Sequence, residues 1–76
     1  MKIKHLDELK ENQTGKIIKI SLDDKLLNHL FHLGFFKGTR ITFKQSTPLK
    51  GPLIFYLKEY KIALSQEIAK SILIEI

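Results

Sequence analysis

The sequence has no cysteine, a single arginine, two prolines and no long apolar run, and each shortage narrows what the chain can be. Without cysteine there is neither a disulfide framework nor a thiolate metal site, so stability has to come from packing alone. No stretch approaches the roughly 20 consecutive apolar residues that carry a helix across a bilayer. Met1 to Lys10 alternates charged and apolar residues and shows no secretory signal, so a cytoplasmic location without membrane insertion is expected. Arginine, the usual bidentate reader of bases and phosphates, occurs only as Arg40. The four glycines, Gly15, Gly34, Gly38 and Gly51, are dispersed and form no phosphate-cradling loop. Ser21, Ser46, Ser65 and Ser71 fall at turns, caps or strand starts, and no nucleophile stands with a base, nor are carboxylates paired for acid–base work. The expectation is a binding protein, not an enzyme, with no cofactor.

What is present describes a small globular domain. Hydrophobic residues make up 43% of the 76 residues and charged residues 28%, too apolar for a disordered tail. A chain this short buries only about 60% of the surface exposed when unfolded, which leaves room for one core, so residues 1–76 are read as one domain. Twelve lysines and one arginine against eight acids give a net charge of +5. Such an excess favours nucleic acid, an acidic protein or an anionic surface as partner. The lysines are scattered along the whole chain, and that pattern reads as a solvated basic surface.

The apolar pattern changes period along the chain. Ile3, Leu6 and Leu9 recur every three residues, as in a single helical turn or a lead-in segment packed on the core. Lys16 to Ile20 is a β-branched strand, in which the adjacent Ile17 and Ile18 break strict alternation and point to a bulge or to two covered faces. Ser21 to Gly34 is the one strong helix signal, with Leu26, Leu27, Leu30, Phe31 and Leu33 at three- and four-residue spacing. Asp23 or Asp24 suits its N-terminus, and Gly34 suits a left-handed C-terminal stop. From Gly38 a strand follows with Ile41 and Phe43 inward, then a stiff loop with prolines at Pro48 and Pro52. Leu53, Phe55 and Leu57 alternate with Ile54, Tyr56 and Lys58, and the chain turns at Glu59 into Tyr60, Ile62 and Leu64, as in a hairpin. Ser65 caps a short helical turn over Gln66 to Lys70 before a closing strand at Ile72, Ile74 and Ile76. The sum is a mainly β domain of about five antiparallel strands with one inserted α-helix, a small, partly open SH3-like barrel.

The order of these signals resembles the FeoA family, small cytoplasmic accessory proteins of bacterial ferrous iron uptake. Leu30, Leu33-Gly34-Phe35 and Gly38-Thr39 stand where the family has its leucine helix, its apolar-Gly-apolar stop and its turn into a strand. Pro48-Leu49, Pro52 and Tyr60-Lys61-Ile62-Ala63-Leu64 extend the match. Lys37 replaces the family's usual proline before Gly38, Thr47 stands where alanine is common, Lys50-Gly51 replaces a Gly-Asp pair, Glu59 stands for a corner glycine, and Ser65 for a basic residue. The resemblance implies an SH3-like barrel and a role beside FeoB, the membrane permease with a cytosolic GTP-binding domain.

Candidate partner-binding residues cluster after the helix stop and in the proline loop. Phe35 matches a buried family position, so Phe36 is the candidate exposed aromatic anchor, next to Lys37. Pro48, Leu49 and Lys50 form the second candidate, because a stiff loop loses little entropy on docking, and Tyr60 joins them. His29 and His32 lie three residues apart on the helix, but two imidazoles without a third ligand make no metal site. An alternative reading is a small basic SH3-like nucleic-acid-binding module that uses the lysines with Phe43, Phe55 and Tyr56.

Overall fold

The computed structural model describes residues 2–76. Six strands form one antiparallel sheet: β1 (Ile3–His5), β2 (Thr14–Ile20), β3 (Arg40–Ser46), β4 (Leu53–Leu57), β5 (Tyr60–Leu64) and β6 (Ile72–Glu75), in the order β1-β6-β2-β3-β4-β5. Helix α1 (Asp24–His32) lies between β2 and β3 in sequence, and helix α2 (Gln66–Lys70) between β5 and β6. Short 3-10 turns cover Leu6–Glu8 and Pro48–Lys50. The architecture is the mainly β one expected, with a sixth strand. That strand is Ile3–His5, which pairs with β6 through Ile3 and Glu75. Its partner lies at the other end of the chain, so no local pattern betrays it, and Ile3 is exposed while Leu6 and Leu9 enter the core.

A sheet whose strands β2 to β6 each bury residues in a single cluster has to curl on itself. Leu6 and Ile74 from one side of the sheet and Phe55, Leu57 and Leu64 from the other meet in that cluster, joined by Ile17, Ile41, Ile72 and Ala69. The curl is eased by two irregularities. In β2 the pairing with β6 slips between Ile17 and Lys19, and in β3 the pairing with β4 slips between Phe43 and Gln45. The first slip accounts for the Ile17-Ile18 doublet: Ile17 is fully buried, whereas Ile18 swings out of the ladder and is only half-buried. Gly15 allows β2 and β6 to approach closely, since a Cβ there would stand 2.7 Å from Ile74 Cδ1.

Helix α1 stops at Gly34 as its sequence predicts and starts at Asp24, three residues after Ser21, with Asp23 as its N-cap. Asp23 Oδ1 accepts from the Leu26 N–H at 2.9 Å. At the C-terminus the Gly34 N–H donates to the Phe31 carbonyl at 3.1 Å and the Phe35 N–H to the Leu30 carbonyl at 2.9 Å, with Gly34 at φ 98°. This is a Schellman motif, in which the residue after glycine packs on the residue five before it. Phe35 and Leu30 are those residues, and both are core. Ser65 caps α2 by accepting from the Ile68 N–H at 3.2 Å.

Candidate functional site

The same helix stop that buries Phe35 turns Phe36 outward. Phe36, Lys37, Gly38 and Thr39 form a turn closed by the Thr39 N–H on the Phe36 carbonyl at 3.1 Å, with Gly38 at φ 96°. Positive φ at the third position marks a type II turn, whose second position favours proline. Lys37 occupies that second position, so the family's proline and this lysine serve the same backbone path.

Helix α1 buries less than its periodicity implied. Of its residues only Leu30 is buried; Leu26 and Leu27 are each 37% exposed and Phe31 is 57% exposed. Leu26, Leu30 and Leu33 follow i, i+4, i+7 and form one stripe, while Leu27 and Phe31 lie about 100° round the helix and form a second. The barrel can cover one stripe only. The second stripe, with Ile18, Ile20 and Phe36, lines an open groove of 420 Å³. The Phe31 and Phe36 rings stand 5.2 Å apart between centroids in a tilted pair, and Lys19 and Lys37 also line the groove. Phe31 and Leu27 were missed as surface residues in the sequence reading. The signal available was an apolar arc too wide for a helix packed on a small barrel.

The six candidate residues do not form one patch. Phe36 and Lys37 lie just before β3, and Tyr60 stands at the start of β5, where its hydroxyl donates to the Leu33 carbonyl and fastens the helix end to the β4–β5 hairpin. Pro48, Leu49 and Lys50 follow the far end of β3, whose seven residues run from Arg40 to Ser46, and are thus roughly 20 Å away. There the Thr47 hydroxyl donates to the Pro52 carbonyl at 2.7 Å and the Gly51 N–H to the Pro48 carbonyl at 3.1 Å, closing a tight loop. Leu49 and Lys50 adopt φ of 58° and 56°, and Leu49 is 99% exposed. A leucine in the left-handed region, fully in water, gains nothing from local packing.

The other candidates are placed as follows. His32 Nδ1 is hydrogen-bonded to the Asn28 carbonyl at 2.8 Å, and no cluster of three or more His, Cys, Asp or Glu able to hold a metal is present among the described residues. His5 precedes the first 3-10 turn, where its N–H donates to Glu8 Oε1 at 2.7 Å. Of the aromatics proposed for stacking nucleic acid, Phe55 is fully buried and Phe43 packs partly buried against it, with centroids 5.5 Å apart. Only Tyr56 faces outward, because alternation along β4 sends Leu53, Phe55 and Leu57 to the core. Among the described residues, no helix is long and apolar enough to cross a membrane.

The family model for the FeoA domain matches residues 4–76. The chain belongs to the FeoA domain family. No curated protein matches it in sequence. Among solved structures, it is similar to the FeoA-like protein from Clostridium acetobutylicum, at 28% identity and TM-score 0.85 over all of this chain and 88% of that one. An iron uptake regulatory protein, FeoA, superimposes at TM-score 0.87 over 97% of each chain with 20% identity, a likeness of fold. A manganese-dependent transcriptional repressor shares the fold at TM-score 0.85 and 18% identity, with this chain covering 96% of itself but 41% of the repressor. The fold thus also occurs as part of a larger chain.

Proposed function

We propose that this FeoA domain is a cytoplasmic accessory protein of ferrous iron uptake that acts as a single non-catalytic domain and docks on the cytosolic region of a FeoB-type permease. Family membership over residues 4–76 supports the iron-uptake role. The observation that carries the docking mode is the apolar groove beside α1, where Leu27, Phe31 and Phe36 remain in water on a domain with little apolar surface to spare. Exposed aromatic pairs of this kind are the usual anchors of protein interfaces. Lys37 at the rim aids encounter with an acidic partner surface. Tyr60 holds the helix end that forms the groove wall, and the Leu49 loop is a second contact reached by a partner that spans the barrel.

A pull-down with the cytosolic region of the cognate permease tests this reading. Phe36→Ala and Phe31→Ala each weaken capture, and Leu49→Ala weakens it separately from them. Full-strength capture by a folded Phe31→Ala, Phe36→Ala double variant overturns the groove as the docking site.

A further inference from the structure

The fold gathers charges that are dispersed in sequence. On the outer face of β2 to β5, Lys16 pairs with Arg40, and Thr42 pairs with Tyr56, which pairs in turn with Lys61. Lys44 and Lys61 place their ammonium groups 5.0 and 5.9 Å from the centre of the Tyr56 ring. Lys58 lines a shallow depression of 280 Å³ with Tyr56 and Lys61, and a neighbouring one with Arg40. Residues two apart on a strand share a face, so Ile54 and Ala63, paired with each other, lie beside Tyr56 and Lys61. Five cations therefore surround a small apolar strip. Two carboxylates on the same side are Glu59 at the hairpin corner and Glu75 opposite Lys16.

We infer that this face docks on an anionic lipid surface, with the lysines at the phosphates and Tyr56, Ile54 and Ala63 at headgroup depth. A broad sheet face with cations around a short apolar strip suits a planar anionic surface, and tyrosine favours the membrane–water boundary. Nucleic acid is the poorer occupant. The Tyr56 ring already holds two ammonium groups, so a stacking base has to displace them, and the other strand aromatics are in the core. Arg40 is the chain's single arginine, the residue type that most often reads a guanine edge with two hydrogen bonds. The inference does not depend on the permease reading, since it rests on the charged outer face of the sheet, which meets the apolar groove only at the depression that Phe36 and Lys37 line with Arg40 and Lys58.

Co-sedimentation with phosphatidylglycerol–phosphatidylcholine vesicles tests it, with pure phosphatidylcholine vesicles beside them. Binding is expected on the anionic vesicles alone and to weaken as salt rises. Each lysine near an anionic leaflet changes partitioning by about fivefold, so Lys44→Glu with Lys61→Glu lowers binding by at least about 25-fold. Lys25→Glu with Lys70→Glu makes the same change in net charge off this face and retains most binding. No binding to anionic vesicles at low salt, or equal loss in the two charge-reversed pairs, overturns the inference. Tighter binding of a single-stranded RNA 20-mer at physiological salt, lost on Tyr56→Ala, overturns it in favour of nucleic acid.

Discussion

Replacing Gly34 with alanine separates the two constraints that the helix stop imposes. The first is conformational: Gly34 holds φ 98°, and an L-residue in left-handed backbone costs about 1–2 kcal/mol. The second is steric. A Cβ at Gly34 stands 3.0 Å from Tyr60 Oη and 3.1 Å from Leu57 Cδ2. Leu57 is fully buried and has nowhere to go, so Tyr60 yields and its hydrogen bond to the Leu33 carbonyl is lost, at about 1 kcal/mol. Gly38 is the control, because it has φ 96° and nothing within 4 Å of an added Cβ. The expected losses are therefore about 2–3 kcal/mol for Gly34→Ala and about 1–2 kcal/mol for Gly38→Ala. Against a total stability of about 4–11 kcal/mol for a chain of this size, both are measurable by urea denaturation followed by circular dichroism. In a Tyr60→Phe background, where the hydrogen bond is already gone, Gly34→Ala should cost about as much as Gly38→Ala. Equal losses for the two glycines in the wild-type background refute the steric argument, and losses under about 0.5 kcal/mol at both refute the conformational one.

Two further changes probe the barrel and the turn. Gly15→Ala forces a methyl against the fully buried Ile74 and should cost about 1–3 kcal/mol, with part of that recovered in an Ile74→Val background, which removes the atom 2.7 Å away; thermal melts of the four-variant cycle check it. Lys37→Pro places proline at the second position of the turn before Gly38 and should leave stability unchanged or raise it by about 0.4–1 kcal/mol, whereas a loss above 1 kcal/mol in urea titration contradicts the type II assignment.

Much of the fold was legible because its signals are local. A capped helix stop, a glycine at a turn and alternation along a strand depend on neighbours a few residues away, and Asp23, Gly34, Gly38 and Ser65 act where the pattern put them. The bulge at Ile18 was visible as a broken alternation. Strand β1 was not, since its partner lies some seventy residues on and three residues carry no periodicity. The candidate site was half legible. Phe36 is exposed and Leu49 is almost wholly in water, as read from the turn and the loop, but nothing local says that β3 sets them at opposite ends.

The sequence by itself determined the element types, the two helix caps, the helix stop with Phe35 inward and Phe36 outward, and the family. Each of these follows from backbone hydrogen bonding and side-chain size over a few residues. Only the tertiary structure decided which helix stripe meets the core, leaving Leu27 and Phe31 around a groove, and which lysines share a face with Tyr56. Those outcomes depend on strand order and curl, through which distant residues become neighbours, and no spacing along the chain records that.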